Sequence, residues 1–176
     1  MRLTTSLCVL TLTPFAAAQW TQLTPTAAPS PRVEPAMAFH ASANQTLLFG
    51  GRDTNGFQGT NFDDTWAWDG LNWTQLSPTT TPSARQFAGM AHDPVRDRTV
   101  LYGGQVPTLI GASYLDDTWE WDGTDWTIVP VANTPGSFVQ NAGIAEVAMA
   151  YDLIGQRMVM FGGEIWGGFV PAPQAT

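Results

Sequence analysis

The sequence predicts an all-β fold made of repeated small antiparallel sheets, and two regularities carry this prediction. Trp20, Trp73 and Trp126 are separated by 53 positions each, and each opens a similar four-residue phrase. The pair Gly50-Gly51 recurs at the same spacing as Gly103-Gly104. A period near 50 residues is typical of a β-propeller or a similar array, in which each repeat is one small sheet that cannot bury its faces alone.

Alternating apolar residues bounded by turn residues place four strands in each repeat. The predicted strands of the first repeat are 35–41, 45–49, 64–68 and 72–76, and those of the second are 87–92, 98–102, 117–121 and 125–129. Asp69-Gly70 and Asp122-Gly123 join the third strand to the fourth, and Asp-Gly suits a tight hairpin because both residues tolerate positive φ. We therefore predict two complete four-stranded blades, over residues 32–76 and 85–129.

A third repeat begins after an insertion. Met90-Ala91 returns as Met149-Ala150, and Gly103-Gly104 returns as Gly162-Gly163, now at a spacing of 59 positions. The six additional residues therefore lie between Trp126 and Met149. The insertion marks a place where the third repeat departs from the first two.

Counting strands predicts a partial propeller of about two and a half blades. Residues 144–163 supply the first half of a third blade, residues 164–176 form a tail, and residues 19–24 form a leading fourth strand. Closed propellers have about 4 to 8 blades. We expect a ring that this chain does not close alone, either because it is a fragment or because copies of the chain complete one another.

Residues 1–18 have the pattern of a secretion signal. Arg2 gives a positive start, a mostly apolar run follows, and Ala16-Ala17-Ala18 form a small-residue cleavage pattern before Gln19. The alternative is an uncleaved anchor, but the apolar run is shorter than the roughly 20 residues that span a bilayer. We predict a secreted protein, extracellular or periplasmic, with no transmembrane segment; cleavage would also remove Cys8, the single cysteine.

The charge balance argues against one class of partner. The formal net charge is −8, and all seven basic residues are arginines. Binding of nucleic acid needs a basic face that neutralises phosphates. We therefore expect no nucleic-acid partner.

The chain resembles the Kelch-repeat β-propeller family, of the kind found as secreted bacterial proteins. The resemblance rests on a hydrophobic strand that ends in Gly-Gly, an Asp-Thr-Trp-x-Trp-Asp third strand and a tryptophan that opens the fourth strand, and it covers nearly all of residues 19–163. It departs at Trp68 and Trp121, where Kelch repeats usually carry tyrosine. The residues that we interpret as structural repeat positions are Gly50, Gly51, Trp66, Trp68, Trp73, Gly103, Gly104, Trp119, Trp121, Trp126, Gly162 and Gly163.

These repeated residues have functional alternatives, which we weigh against packing. Tryptophans can stack on sugars, but packing between adjacent blades explains tryptophans that recur in each blade. Double glycines can cradle phosphate, but here they lack a phosphate-binding motif and suit a tight turn and a close approach between strands. The repeat therefore predicts architecture more than chemistry.

Acidic pairs and histidines are the candidate metal ligands. Asp63-Asp64 and Asp116-Asp117 lack further acidic residues at calcium-loop spacing, and we expect them to begin the third strand by bonding to nearby backbone amides. His40 and His92 fall at different repeat positions, so we expect them to occupy different sites. The sequence thus predicts no metal and no cofactor.

An enzymatic alternative comes from the family resemblance. The chain is similar to the Kelch-like domain of galactose oxidase, whose copper site needs a tyrosine cross-linked to a cysteine. The predicted mature chain has no cysteine. We therefore predict no catalytic residues and no catalysis by this chain; the alternative is a fragment or subunit of an extracellular carbohydrate-active enzyme of that propeller type.

The predicted binding face is formed by the loops 51–62, 104–115 and 131–143. Arg32 and Arg85 stand at this face with Arg52 nearby, and arginine forks suit carboxylates. The resemblance implies acidic peptide segments as ligands of such arginines; the alternative is that each arginine pairs with a local aspartate.

Trp166 completes the candidate set, because it lies outside the repeated positions. On these residues we predict a binding or scaffold module for an unidentified protein or glycan. We also expect self-association that completes the propeller.

Overall fold

The computed structural model describes residues 7–11, 19–54, 59–108, 111–135 and 143–164. These residues form fourteen β-strands and no α-helix, and each paired strand is antiparallel to its neighbour. Within these ranges, no helix has the length and apolar character needed to cross a membrane. The all-β prediction is confirmed.

Three sheets follow the three sequence repeats. Their strands are β3 (Ala36–His40), β4 (Gln45–Phe49), β5 (Thr65–Trp68), β6 (Trp73–Leu76), β7 (Gly89–Asp93), β8 (Arg98–Tyr102), β11 (Thr118–Trp121), β12 (Trp126–Val129), β13 (Ala145–Asp152) and β14 (Arg157–Glu164). Sheet 1 has the order β3-β4-β5-β6, sheet 2 the order β12-β11-β8-β7, and sheet 3 pairs β13 with β14. Each predicted strand of the first two repeats is present, and β4 and β8 have the predicted bounds.

Two additional hairpins lie outside this pattern. The predicted loop 104–115 contains β9 (Gln105–Thr108) and β10 (Gly111–Tyr114), which pair with each other. The prediction of a long loop here is corrected to a strand pair, because antiparallel pairing satisfies backbone groups that an irregular loop would leave to solvent. At the amino terminus, β1 (Leu7–Thr11) pairs with β2 (Gln19–Leu23), the predicted leading strand.

The core lies between neighbouring sheets. β3 packs against β7, and β7 packs against β13. Trp126 of sheet 2 lies edge-on to Phe49 of sheet 1, with ring centroids 5.5 Å apart, and its Nε1 donates to Oγ1 of Thr65 at 3.0 Å. Trp126 is therefore a packing residue at the contact between sheets 1 and 2.

The double glycines permit a close backbone approach, as predicted. Gly50 and Gly51 have φ of 66° and 88°. A Cβ on Gly50 would lie 2.6 Å from the carbonyl oxygen of Arg85. Since Gly103 and Gly104 repeat both features, the motif joins each sheet to the start of the next one.

The outer sheets each keep one apolar face exposed. Phe49 and Tyr102 are 1% and 3% exposed, because the following sheet covers them, whereas Phe161 at the same repeat position of sheet 3 is 84% exposed. We call the face of a sheet that meets the following sheet its trailing face, and the opposite face its leading face. On the leading face, Met90 of sheet 2 is 7% exposed because sheet 1 covers it, but Met37 of sheet 1 is 46% exposed. Each sheet thus has a leading and a trailing face that are built for a neighbour.

Candidate functional site

The first candidate group is the predicted arginine face. Arg85 lies just before β7, and its guanidinium donates to both carboxylate oxygens of Asp117 at 2.5 and 2.8 Å. It also donates to the carbonyl oxygen of Gly103 at 2.9 Å. The indole Nε1 of Trp119 donates to the same carboxylate at 2.7 Å. Arg85 is 1% exposed, so its fork is fully committed within sheet 2.

Arg32 repeats this arrangement in sheet 1. Its guanidinium donates to both oxygens of Asp64 at 2.6 and 2.9 Å and to the carbonyl oxygen of Gly50 at 2.9 Å. The indole of Trp66 donates to Asp64 at 2.6 Å. Of the two alternatives for these arginines, the geometry matches pairing with a local aspartate, and a carboxylate ligand would have to displace that partner.

Electrostatics explains why both pairs persist. Burial opposes ionisation of Asp117, but the hydrogen bonds and the charge of Arg85 outweigh it, and the pKa of Asp117 lies below its ordinary value. Asp64 has a lowered pKa for the same reasons, with Arg32 as its partner. Each carboxylate is therefore ionised at neutral pH and holds its arginine in place.

The acidic pairs do not act mainly as predicted. Asp64 and Asp117 accept from arginine and indole side chains rather than chiefly from nearby backbone amides. Asp116 accepts from the hydroxyls of Tyr102 and Thr134. A bidentate pair with a charged guanidinium is stronger than a single bond from a neutral amide, which explains the difference for Asp64 and Asp117.

The other two predicted ligand-face residues are placed differently. Nε of Arg52 donates to Glu34 at 2.9 Å, and both side chains are partly exposed. Arg52 is therefore more accessible than Arg32 or Arg85. Trp166 lies outside the described residues.

A shallow cavity of about 320 Å³ lies at the outer edge of sheet 2. It is bounded by Asp116, Thr118, Ile128, Val129, Val131 and Thr134. Its walls are mostly apolar, and its acidic groups are already bonded to protein partners. It lies on the same side of the sheet as the predicted binding loops.

The second candidate group joins the two histidines, which were expected to occupy different sites. That expectation was wrong: the rings of His40 and His92 lie 4.5 Å apart between centroids. Neighbouring sheets present opposite faces to each other, so residues at different repeat positions meet across the contact between β3 and β7. A sequence comparison that aligned one face of each repeat with the opposite face of the next would have predicted this contact.

Two residues of sheet 2 complete this histidine cluster. Oγ1 of Thr99 lies 2.9 Å from Nδ1 of His40 and 3.2 Å from Nδ1 of His92. Oδ1 of Asp97 lies 3.4 Å from Nε2 of His40 and 3.7 Å from Nε2 of His92. The hydroxyl therefore faces one side of both rings, and the carboxylate faces the other.

The imidazoles of the cluster are held neutral. Burial lowers the pKa of His40, and the charge of Asp97 opposes this only in part. Burial and the neighbouring His40 together lower the pKa of His92. Nε2 of His92 is buried and has no hydrogen-bond partner. The two imidazoles and the carboxylate of Asp97 are the groups that could hold a cation here.

Comparison with known proteins supports the fold and assigns no function. No family model matches the chain, and no curated protein matches it. A solved structure, that of YjhT, is similar with a TM-score of 0.61 and 16% sequence identity. The similarity covers 86% of this chain and 43% of that chain, so the present chain spans less than half the length of YjhT. At this identity the likeness shows a shared fold alone.

Proposed function

We propose that the chain is a non-catalytic binding and scaffold module of the Kelch type, whose sheets 1 and 2 are propeller blades and whose sheet 3 is the first half of another blade. The recurring double glycines, the repeated arginine–aspartate pairs and the stacking of successive sheets support this proposal. We further propose that the protein is secreted and that residues 1–18 are its leader.

The observation that carries the scaffold role is the pair of uncovered end faces. Phe161 on the trailing face and Phe39 on the leading face are both well exposed, at 84% and 53%. Exposed apolar faces of this kind mark contact surfaces. Since the trailing face of one sheet packs on the leading face of the next, the two end faces of separate copies are complementary. We propose a second copy of the chain as the partner that covers them.

Leader removal would prepare the same assembly. β1 lies within the proposed leader and is the partner of β2. Without β1, the backbone groups of β2 become available, and an unpaired strand edge readily accepts another strand. Sheet 3 has two strands among the described residues, whereas sheets 1 and 2 have four. We propose that β2 of another copy contributes the outermost strand of sheet 3.

Light scattering coupled to size exclusion tests this assembly. We expect the exported wild-type chain to form a discrete oligomer, and Phe161→Asp to shift it to monomer because a charge cannot be buried at the contact without a partner. Leu71→Asp is the matched control, since Leu71 is also highly exposed, at 77%, but lies in the β5–β6 turn. A wild-type chain that is monodisperse and monomeric would contradict the proposal.

The proposed ligand of the loop face is a protein segment or a glycan. Peptide and glycan arrays probed with the folded oligomer would distinguish these two classes. Binding to neither array would contradict the binding role while leaving the scaffold role to the assembly experiment.

A further inference from the structure

We propose that His40, His92 and Asp97 form a binding site for one divalent transition-metal ion of the zinc type, held between sheets 1 and 2. All three residues belong to one chain, so the site does not depend on a second copy that completes the propeller. It differs from the arginine face both in position and in chemistry.

The spacing of the ligand atoms fits a tetrahedral ion. Zinc bonds to imidazole nitrogen and carboxylate oxygen are about 2.0–2.2 Å long, so two ligand atoms on one tetrahedral edge lie roughly 3.3–3.5 Å apart. Oδ1 of Asp97 lies 3.4 Å from Nε2 of His40 and 3.7 Å from Nε2 of His92. All three ligand atoms lie within 4.8 Å of one another. Small side-chain adjustments would place one ion at bonding distance from all three.

The hydroxyl behind the rings orients the nitrogen lone pairs. Oγ1 of Thr99 can accept hydrogen bonds from Nδ1–H of both histidines, which leaves both Nε2 atoms as acceptors that face Asp97. If the hydroxyl instead donates to one Nδ1, the other neutral ring still presents a bare Nε2. Metal-binding histidines commonly have such an outer partner at the second ring nitrogen.

Without a cation, the arrangement contains an unfavourable contact. With Thr99 as the acceptor from Nδ1–H of either ring, at least one Nε2 lone pair points toward the carboxylate of Asp97. Nε2 of His92 is buried with no hydrogen-bond partner. Leaving a buried polar group without a hydrogen-bond partner carries a cost in free energy. A bound cation would remove this cost and would also neutralise the carboxylate.

The donor set favours zinc and similar transition-metal ions over calcium. Imidazole suits zinc, copper and nickel, whereas calcium takes six to eight oxygen ligands. The side chain of Asp97 is 48% exposed, so an ion can enter from solvent, and a water can occupy the fourth position. Three protein ligands and one open position describe the site.

The fold itself does not require this cluster. Asn44 and Gln156 occupy the turns of sheets 1 and 3 that correspond to the turn of Asp97, and all three have positive φ, of 51°, 48° and 55° respectively. The same turn therefore forms without a carboxylate. Phe39 likewise stands at the repeat position of His92. The combination occurs at the contact between sheets 1 and 2 because these particular side chains meet there.

Zinc titration of the untagged, metal-stripped chain tests the site, with Cys8→Ser as the background so that no thiol is present. We expect one zinc per chain by equilibrium dialysis and metal analysis. Asp97→Asn and His92→Gln should each weaken binding by more than about 100-fold, since even residues behind the ligands typically contribute 10- to 100-fold. Thr99→Val, which removes the orienting hydroxyl, should weaken it by about 10- to 100-fold.

Asp122→Asn is the matched control. Asp122 acts electrostatically on His40 but stands outside the cluster, and asparagine keeps the acceptor that bonds the amides of Thr124 and Asp125. We expect its zinc affinity to stay close to that of the parent chain. An equal loss in this variant would show that general negative charge, rather than ligation by Asp97, holds the ion.

Thermal unfolding and cobalt spectra give readouts that do not depend on affinity alone. Zinc should raise Tm of the parent chain and leave Tm of Asp97→Asn unchanged, because a ligand stabilises only the state that binds it. Cobalt should give the intense visible absorption of a tetrahedral site. A folded parent chain that binds no zinc at micromolar free ion, or that binds equally well with Asp97→Asn, overturns the proposal. A cluster held by hydrogen bonds alone would show a lower Tm for metal-free Asp97→Asn and no response to zinc.

Discussion

The contact between sheets 1 and 2 and the contact between sheets 2 and 3 share one backbone plan. The amide of Gly51 donates to the carbonyl of Arg85 at 2.8 Å in the first contact, and the amide of Gly104 donates to the carbonyl of Ile144 at 2.8 Å in the second. The repeated glycines and their hydrogen bonds therefore set how sheets stack, whichever side chain follows.

The side chains at these two contacts differ sharply. Arg85, whose carbonyl accepts from Gly51 at the first contact, forms a partly buried ion pair with Asp117 within sheet 2. Ile144 instead occupies the same repeat position at the second contact. At the opposite edge, His40 meets His92 in the first contact, and an Asp93–Tyr151 hydrogen bond takes the corresponding place in the second. Chemistry specific to one site is thus found where the repeated backbone leaves side chains free to vary.

The largest expected effect concerns the repeat position of Phe49 and Phe161. Sheet 2 covers Phe49, whereas Phe161 of sheet 3 is exposed. Phe49→Ala should lower the free energy of unfolding by about 3–5 kcal/mol, because it opens a cavity against Trp126. Phe161→Ala, at the same repeat position of sheet 3, should change it by less than about 0.5 kcal/mol in the monomer. Urea unfolding of both variants measures the difference, and equal losses would show that sheet 3 is covered as sheet 1 is.

The next effect isolates the ion pair of the first contact. Asp117→Asn should cost about 2 kcal/mol at neutral pH, since the amide keeps only one acceptor for Arg85 and turns an NH2 donor toward the guanidinium. The pKa of Asp117 in the folded protein lies below 3.8, so the stabilisation by the ion pair is complete above that value and is lost as the pH falls through the folded pKa. The stability difference between wild type and variant should therefore shrink in acid.

Urea unfolding of both proteins at pH 7, 4, 3 and 2 checks this expectation. Asp63→Asn, at an exposed carboxylate next in the chain to the partly buried Asp64, controls for a general loss of negative charge. A difference that stayed constant with pH would show that the carboxylate charge contributes nothing.

The smallest effect concerns a single hydrogen bond across the first contact. Thr65→Val removes the acceptor of the Trp126 indole N–H and should cost about 1–2 kcal/mol. Thr118→Val, at the same repeat position of sheet 2, should cost less than about 0.5 kcal/mol, because Thr118 lies at the outer-edge cavity instead. Thermal melts of the two variants suffice, and a larger loss for Thr118→Val would reverse the comparison.

Local patterns were the most predictable part of the molecule. Alternation and turn residues placed β4 and β8 at their observed bounds. The recurring Gly-Gly pair predicted a tight turn and a close approach between strands. The positive φ values and the short distance to the carbonyl of Arg85 show both at Gly50. These features depend on residues close in sequence or on an identical repeat, so the sequence alone reveals them.

Contacts across the stack were less predictable. The pairing of Arg85 with Asp117 was one of two open alternatives, and the meeting of His40 with His92 was not expected at all. Both depend on which face of one sheet lies against which face of another. A repeat alignment compares equivalent faces, whereas stacked sheets touch through opposite ones.

The sequence by itself determined an all-β chain with a recurring strand pattern and recurring glycine turns, because short-range sterics and alternation act within each repeat. Only the tertiary structure decided that the arginines are buried in ion pairs and that two histidines, a threonine and an aspartate converge. The physical reason is that burial and electrostatic contact are properties of stacked sheets, and a single repeat has no neighbour to bury against.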